Sequence, residues 1–273
     1  MRWRQQRQSS NVEDRRGISG KGIAIGGGGI GVLVLIIAVV LCGGDPRQLL
    51  QALPEQGQVR QTEQRGPAQD DESKQFTSAV LGSTEDVWNE IFRRNRLNYR
   101  EPTLVLFSGQ VRSACGFSSS ATGPFYCPGD EKLYLDTNFF RELKNEFRSP
   151  GDFAQAYVIA HEVGHHVQNL LGVMDKVQRA GNTNDLSVRL ELQADCFAGI
   201  WAAAAQDKGL VEAGDAQEAI RAAEAVGDDA VQRRSTGYVR PETFTHGSSE
   251  ERVRWFTTGF RTGDVARCDT FKD

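Results

Sequence analysis

Two histidines, His161 and His165, lie four residues apart in the stretch A-H-E-V-G-H-H, and Glu162 follows the first of them. Residues at this spacing lie on the same face of an α-helix, so the two imidazoles can bind one metal ion. A glutamate next to that ion can take a proton from a water molecule that the metal activates. This H-E-x-x-H arrangement is typical of zinc-dependent peptide hydrolysis. The motif therefore predicts one Zn2+ ion as cofactor, with Glu162 as the general base.

The chemistry requires that the motif lie on a helix, and the surrounding sequence favours one. Residues 153–171 contain no proline, and apolar side chains recur on the stripe that carries the two histidines. Pro150 and Gly151 precede this run, and Asp152 is a favourable N-cap residue. His166 is rotated by roughly 100° from His165 on such a helix, so we expect it to pack rather than to bind the metal.

A catalytic zinc ion usually has three protein ligands and keeps a fourth position for water, so a third ligand is expected on another element. Residues 186–205 form an apolar run that carries two carboxylates, Glu191 and Asp195. Acidic side chains on the buried face of a helix need a cation or hydrogen-bond donors. The pattern by itself allows either carboxylate to bind the metal, or to pair with Arg189 or Arg252 instead.

Two further residues are candidates for catalysis, in the irregular stretch before the last predicted helix. Peptide hydrolysis places negative charge on the carbonyl oxygen, and a hydrogen-bond donor aimed at that oxygen speeds the reaction. His246, or Tyr238 in the same stretch, can supply such a donor. A structural role of His246 at the entry to the helix is the alternative.

The composition is that of a globular protein with a charged N-terminus. Of the 273 residues, 39% are hydrophobic and 25% are charged, so a domain can bury a sizeable core. Six basic against two acidic residues give residues 1–22 a charge of +4, which leaves −8 for the rest because the whole chain carries −4. An acidic domain is not suited to nucleic acid, so we expect no nucleic-acid partner.

An apolar run at residues 23–42 contains no charged side chain and is long enough to span a bilayer. Basic residues precede it, so the positive-inside rule predicts a cytoplasmic N-terminus and a periplasmic or extracellular C-terminal domain. A cleaved signal peptide and a lipoprotein acylated at Cys42 are the alternatives. No small-x-small site follows the run cleanly, and bulky Leu41 precedes the cysteine, so both are less favoured.

The domain boundaries follow from these runs. Residues 1–22 are predicted as a basic cytoplasmic tail, 23–42 as a transmembrane helix, 43–75 as a flexible linker and 76–273 as the domain. The linker is rich in Gln, Pro and charge, which favours a flexible chain. The predicted protein is thus attached to the cell membrane by one helix, with its domain outside the cytoplasm.

Four cysteines lie in the predicted domain, and an even number outside the cytoplasm suggests two disulfides. Cys115 and Cys127 flank a loop rich in Gly and Ser, and a bridge between them would reduce the entropy that ordering the loop costs. That pairing leaves Cys196 to bond Cys268. The cysteine spacing contains no C-x-x-C, which disfavours a cysteine zinc site.

The secondary-structure pattern predicts an α+β domain that is mainly helical. An amphipathic helix begins near Phe76 and is expected to break at Gly82 and Ser83. Two short runs, Thr103–Phe107 and Lys132–Asp136, are predicted strands, the second alternating as the edge strand of a sheet would. An edge strand beside the metal helix would offer a place for an extended peptide to pair.

Several motifs together resemble the bacterial, membrane-anchored neutral zinc metallopeptidase family, with a likeness to the gluzincin peptidases. They are M-R-W-R, N-V-E-D-R-R-G, G-P-F-Y-C-P, A-H-E-V-G-H-H-V-Q-N, E-L-Q-A-D-C-F-A-G and F-T-H-G-S-S-E-E-R-V-R-W-F. The resemblance implies a zincin-like fold with His161, His165 and Glu191 as zinc ligands and Glu162 as the base. It also implies that Asp195 supports one of the histidines.

The sequence is therefore interpreted as that of a zinc-dependent endopeptidase that acts on protein or peptide substrates outside the cytoplasm. A protein of the same fold that binds or assembles other envelope components without turnover is the alternative function. A structural zinc domain is disfavoured, because structural sites are usually closed and rich in cysteine.

Overall fold

The computed structural model of the protein describes residues 1–16, 72–119, 123–145 and 151–272. Met1–Arg15 and the described residues from Glu72 onward belong to one folded unit. The predicted transmembrane helix over 23–42 and most of the predicted linker over 43–75 lie outside the described residues. Of the helices within the described ranges, none combines the length and the apolar character that crossing a membrane requires.

The fold is α+β, with a small sheet and a larger helical part. Four strands form the main sheet in the order β1-β2-β6-β5. Strands β1 and β6 run parallel to β2, and β5 runs antiparallel to β6. Two more strands form a separate antiparallel hairpin. The strands are β1 (Val12–Asp14), β2 (Thr103–Phe107), β3 (Gln110–Ser113), β4 (Gly116–Ser119), β5 (Phe125–Cys127) and β6 (Lys132–Asp136).

Eight α-helices lie in the described part of the chain. They are α1 (Glu72–Arg94), α2 (Asn138–Asn145), α3 (Asp152–Leu170), α4 (Val173–Arg179), α5 (Asn184–Asp207), α6 (Asp215–Ala225), α7 (Asp228–Ser235) and α8 (Ser249–Thr262). The last helix follows Ser248, which forms a reciprocal capping box with Glu251. Gly151 is the N-cap of α3, and Asp152 is its first residue.

The core forms where α3 and α5 pack against each other and against α1 and α8. The rings of Phe153 on α3 and Trp201 on α5 stack at 5.5 Å between centroids. The indole N–H of Trp201 donates to the hydroxyl of Ser83 on α1 at 3.1 Å, which satisfies a buried donor. Because this packing fixes α3 and α5 side by side, side chains on their facing surfaces are held at defined separations.

The first predicted helix differs from the structure in two ways. Helix α1 begins at Glu72, so the last residues of the predicted linker are helical. It also continues without a break through Gly82 and Ser83. Gly82 is needed for close packing rather than for a turn, since a Cβ atom at this position would lie 2.6 Å from the carbonyl oxygen of Arg7.

The prediction of a separate tail over residues 1–22 also requires correction. Trp3 is buried, and its ring lies 5.5 Å from that of Phe76 in an edge-to-face contact. The α-amino group of Met1 lies 2.7 Å from the carboxylate of Asp152 at the start of α3. The basic charge and the aromatic ring of this stretch thus have partners on the domain. The folded unit accordingly includes Met1–Arg15 in addition to the residues from Glu72 onward.

Both predicted disulfides are present. Cys115 bonds Cys127, which ties β5 to the start of the β4 hairpin strand. Cys196 on α5 bonds Cys268 in the 3-10 turn Val265–Cys268, and the two residues are 72 positions apart in the sequence. Cys196 and Cys268 are fully buried. This second bridge attaches the C-terminal end of the chain to the helix that carries Glu191 and Asp195.

Candidate metal centre

Helices α3 and α5 approach closely at the point where the candidate ligands lie. A Cβ atom at Gly164 would lie only 2.9 Å from the carbonyl oxygen of Ala194, so only glycine fits here without a shift of one helix. Gly164 belongs to the A-H-E-V-G-H-H motif, and Ala194 precedes Asp195. The absence of a side chain at Gly164 therefore sets the separation between the histidines and the acids.

Three of the predicted ligands meet between these helices. Nε2 of His161 lies 3.1 Å from one carboxylate oxygen of Glu191, and Nε2 of His165 lies 3.3 Å from the other. One ligand atom from each of these residues falls within 4.8 Å of the others. The structure thus brings Glu191, rather than Asp195, into a common group with both imidazoles.

The orientation of each imidazole is fixed by a hydrogen bond at its other nitrogen. Nδ1 of His161 donates to Oδ1 of Asp195 at 2.8 Å. Nδ1 of His165 donates to the side-chain oxygen of Gln168 at 2.9 Å, and Gln168 donates in turn to the carbonyl of Leu190. These contacts direct both Nε2 atoms toward Glu191. Such partners are a common feature of metal-binding histidines.

The donor set fits a zinc ion by distance and by chemistry. Each imidazole Nε2 lies 3.1 or 3.3 Å from one of the two carboxylate oxygens of Glu191, and one ligand atom from each residue lies within 4.8 Å of the others, a span that zinc bonds of about 2.0 Å can bridge. Two imidazoles and one carboxylate also leave a fourth position for water, as in catalytic rather than structural sites. The residues that would hold the ion are His161, His165 and Glu191.

Asp195 is the centre of a buried network behind His161. Its two oxygens accept hydrogen bonds from the guanidinium of Arg252 on α8 at 2.8 and 3.0 Å. The hydroxyl of Tyr157 donates to the same carboxylate at 2.6 Å. Burial raises the pKa of Asp195, but the charges of Arg252 and His161 and their hydrogen bonds to the carboxylate together outweigh burial, and the net pKa is lowered. Asp195 is therefore held as an anion that orients His161.

The pKa values of His161 and Glu191 are shifted by the charges of the neighbouring acids and histidines. Burial lowers the pKa of His161, but Asp195 and Glu191 more than offset this effect and raise it to about 10. Burial opposes ionisation of Glu191 as well, yet the two histidines hold its pKa well below its usual range. The two carboxylates thus favour the protonated form of His161, and a divalent cation would replace that proton on binding.

Glu162 lies beside the ligands and shares their cleft. The side chain is buried, and burial raises its pKa above the ordinary value, although the nearby histidines act in the opposite direction. A carboxylate with a raised pKa accepts a proton more readily than an exposed one, as a general base must. The position and burial of Glu162 are therefore suited to the role predicted from the sequence.

The cleft that contains these residues has a volume of about 530 Å3. Strand β5 contributes Phe125 and Tyr126 to its wall. The wall also includes the apolar residues Pro124, Phe139, Val158, Met174, Leu190, Val226 and Val231. The prediction that Lys132–Asp136 is the edge strand is wrong, because β6 lies between β2 and β5. Within the described sheet the edge strand at the cleft is β5.

His166 faces away from the ligands and connects α3 to β5. Its Nε2–H donates to the carbonyl of Arg100 at 2.6 Å, so Nδ1 accepts from the hydroxyl of Tyr126 at 3.1 Å. Asn169 donates to the same hydroxyl at 3.0 Å. Burial lowers the pKa of His166 and favours the neutral ring. The expectation that His166 packs rather than binds metal agrees with this geometry.

His246 lies in the wall of the cleft, next to Asp228 at the start of α7. Nδ1 of His246 lies 3.1 Å from Oδ1 of Asp228, and the backbone N–H groups of Thr245, His246 and Gly247 donate to Oδ2 of that carboxylate. The hydrogen bond to Asp228 raises the pKa of His246 despite partial burial. The structure thus places a histidine with a charged partner at the cleft.

Tyr238 is not brought into the site. Its side chain is 77% exposed, and it is absent from the cleft wall. Sequence reasoning also did not single out Tyr157, which donates to Asp195, or Gln168 and Asp228, which orient His165 and His246. Asp228 follows Gly227 in a helix-start pattern, a signal that indicates a cap but not its histidine partner.

Paired imidazoles, a glutamate from a second helix and a buried glutamate beside them define a metal centre of the zinc metallopeptidase class. The comparison with known families leads to the same class. Residues 1–271 match the family described as "Putative neutral zinc metallopeptidase", and the chain belongs to this family. The family assignment implies zinc as the metal.

Related proteins cover most or all of the chain. "Uncharacterized protein YpfJ" of Escherichia coli (strain K12) is 45% identical over 284 aligned positions, which cover 99% of both chains. "Uncharacterized protein Rv2575" of Mycobacterium tuberculosis (strain H37Rv) is 47% identical over 205 positions, covering 71% of this chain and 69% of its own. No solved structure shows significant similarity to the chain.

Proposed function

We propose that the protein is a zinc-dependent endopeptidase whose general base is Glu162. The observation that carries the proposal is the convergence of His161, His165 and Glu191 at ligand-to-ligand distances of 3.1 and 3.3 Å. A buried carboxylate from the same motif lies in the same cleft. Membership of the neutral zinc metallopeptidase family supports the same class of reaction.

The proposed mechanism assigns a task to each residue of the cleft. Zinc, when bound, lowers the pKa of a water molecule and polarises the carbonyl of the scissile peptide bond. Glu162 accepts a proton from the attacking water and later donates it to the leaving amine, a cycle that its raised pKa favours. Asp195 and Gln168 hold the two histidines in the orientation that ligation requires.

His246 is proposed as the donor that stabilises negative charge on the carbonyl oxygen of the substrate. Its Nδ1 is engaged by Asp228, so Nε2 is the ring atom that can donate to a substrate in the cleft. That donation requires the protonated ring, which the raised pKa favours. Tyr238 is not part of this proposal, because it lies outside the cleft wall.

The proposed substrate is a protein or peptide in extended conformation. The apolar residues of the cleft wall suit side chains of the same character, and the edge of β5 offers backbone groups for pairing. An oxidising compartment outside the cytoplasm is proposed because both disulfides occur in the folded domain. Attachment to a membrane through residues 23–42 stays a prediction from the sequence.

The test is cleavage of a mixed protein substrate by the purified full-length chain, with metal content measured in the same samples. Glu162→Gln keeps the three ligands, so we expect zinc to be retained and kcat to fall by about 10²- to 10⁴-fold. His161→Ala removes a ligand, so zinc and activity should both be lost. Glu250→Gln, at an exposed position in the first turn of α8, is the matched control and should leave both unchanged.

The outcomes separate the enzyme from the alternative function. Cleavage by the native chain that a chelator abolishes supports the peptidase. Zinc binding without cleavage of any substrate in the mixture would instead favour a binding or assembly factor. Full activity of Glu162→Gln would overturn the mechanism proposed for this residue.

A further inference from the structure

The N-terminal segment, Met1–Arg15, is hydrogen-bonded into the sheet of the domain. Residues Val12–Asp14 pair in parallel with Leu104–Leu106 of β2. At one end of this pairing the amide of Leu104 donates to the carbonyl of Asn11 at 2.8 Å. At the other end the amide of Arg15 donates to the carbonyl of Leu106 at 2.8 Å. The segment thus supplies a strand of the main sheet.

A second contact is made with a buried acid on α1. Glu85 is fully buried in the middle of this helix, where an ionised carboxylate needs hydrogen-bond donors. Three side chains donate to it, Arg7 at 2.8 Å, Ser9 at 2.5 Å and Asn11 at 2.9 Å. All three belong to the N-terminal segment, so Glu85 is suited to its position only when the segment is docked.

A third observation comes from Gly82, one turn before Glu85 on α1. A Cβ atom at Gly82 would lie 2.6 Å from the carbonyl oxygen of Arg7 and 3.2 Å from the amide nitrogen of Ser9. Nearby, the amide of Ser9 donates to the carbonyl of Ser78 at 2.9 Å. Glycine in the middle of a helix is unfavourable unless the space is needed, and here the backbone of the segment occupies that space.

From these three contacts we infer that the N-terminal segment and the metal centre face the same compartment. Hydrogen bonds of 2.5 to 2.9 Å cannot form across a bilayer whose core is about 30 Å thick. The connection over residues 17–71, which includes the apolar run 23–42, therefore joins two points of one folded unit. This inference does not depend on the proposed peptidase activity.

The sequence predicts a single-pass protein with a cytoplasmic N-terminus and a domain on the other side of the membrane. If the N-terminal segment is docked on the domain, both lie on the same side. The positive-inside rule treats the basic residues of the segment as unpaired charges next to a membrane, and on that basis places them in the cytoplasm. In the structure Arg7 pairs with Glu85 and Asp86, and Arg4 pairs with Glu72. These charges are explained by docking, so they do not need a cytoplasmic location.

The first experiment is cysteine labelling of the full-length chain in spheroplasts of a bacterial host. Single cysteines are introduced at Gln8→Cys in the segment and at Arg221→Cys on α6, both exposed positions, with Cys42→Ser in each. A membrane-impermeant maleimide is added before or after lysis. For each position, labelling in intact spheroplasts is divided by labelling after lysis. We expect this ratio to be the same at the two positions. Labelling of one position in intact spheroplasts and of the other only after lysis would overturn the inference.

The second experiment asks whether Gly82→Ala raises or lowers Tm. Glycine to alanine within a helix normally stabilises a protein. In the docked chain Gly82→Ala should instead lower Tm, because the new methyl group displaces the backbone at Arg7. Arg93→Ala, at an exposed position of the same helix, is the control and should leave Tm nearly unchanged. An increase in Tm for Gly82→Ala would show that the segment is not docked at this site.

Discussion

Nδ1 of His161 lies 2.8 Å from Oδ1 of Asp195, while Oδ2 of the same carboxylate lies 2.8 Å from Nε of Arg252. Asp195 therefore links a candidate zinc ligand on α3 to a buried cation on α8. Because both partners are buried, the carboxylate is screened little by solvent, and its charge acts strongly on the imidazole. The orientation of His161 thus depends on a helix that contributes no ligand.

Replacing this carboxylate should weaken metal binding and destabilise the fold. Asp195→Asn keeps the shape of the side chain but leaves the Arg252 cation buried without its counter-charge. We expect zinc affinity to fall by about 10- to 100-fold and the free energy of unfolding to fall by about 3 to 5 kcal/mol. Chelator competition and denaturant unfolding measure the two effects.

The matched control for this change lies on the same helix. Asp185→Asn breaks the ion pair between Asp185 and Arg189, in which the aspartate side chain is 72% exposed. Exposed pairs contribute little, so zinc affinity should not change. If Asp195→Asn bound zinc as tightly as the native chain, the supporting role of Asp195 would be refuted.

The pKa of His246 predicts how activity depends on pH. Its hydrogen bond to Asp228 raises the pKa above the ordinary 6.5, so the ring is charged up to a higher pH than a free histidine. If the charged ring is the donor, kcat should fall as the pH rises through that raised pKa. Asp228→Asn should move this fall to lower pH, because the partner that favours the charged ring is lost.

Two substitutions of His246 itself test whether its ring is the donor to the carbonyl oxygen. His246→Ala should lower kcat by about 10²- to 10³-fold, the usual cost of a lost donor at the carbonyl oxygen. His246→Gln keeps an N–H donor that does not titrate, so the fall at high pH should disappear. A high-pH fall of unchanged shape in His246→Gln would assign it to another group.

The hydroxyl of Tyr126 is expected to position β5 for substrate. It donates to His166 and accepts from Asn169, both on α3, so it fixes the edge strand to the helix of the H-E-x-x-H motif. Tyr126→Phe removes these bonds and keeps the ring, and we expect KM for protein substrates to rise while zinc content is unchanged. Steady-state kinetics check this, and a fall in kcat alone would argue against a positioning role.

The two disulfides should differ in what they contribute to stability. The bridge between Cys196 and Cys268 closes 72 residues, and the one between Cys115 and Cys127 closes 12. Loop-closure entropy predicts about 4 and about 3 kcal/mol respectively. Replacing each pair with serine and measuring denaturant unfolding gives the order. A larger loss for the shorter loop would mean that native contacts, rather than chain entropy, dominate.

Much of the metal centre follows from sequence spacing. A helical repeat places His161 and His165 on one face whatever the rest of the chain does, and two acids on an apolar helix imply a buried cation or donor. The choice of Glu191 over Asp195 came from resemblance, and the structure agrees, because Glu191 faces Nε2 of both imidazoles whereas Asp195 contacts Nδ1 of His161. The motif and the family likeness thus give the ligands.

Of the supporting residues, only Arg252 was expected from the sequence, as one of two arginines that could pair with the acids, and its contact with Asp195 itself could not be predicted. Arg252 reaches Asp195 from a helix 57 positions later in the sequence, and Asp228 reaches His246 from 18 positions earlier. These separations depend on how α7 and α8 pack, which local propensity does not specify. The break predicted at Gly82 was wrong for a related reason. A glycine that permits close packing and a glycine that ends a helix cannot be told apart from the sequence alone.

The contact of Gly164 with the backbone of Ala194 has a consequence for metal selectivity. The two helices meet there with no side chain between them, so the contact limits how far apart the imidazoles and Glu191 lie. A larger cation such as Ca²⁺, which prefers six to eight oxygen ligands at about 2.3 to 2.6 Å, would need both more donors and a wider gap. We therefore expect the close helix contact at Gly164 to disfavour larger cations at this site.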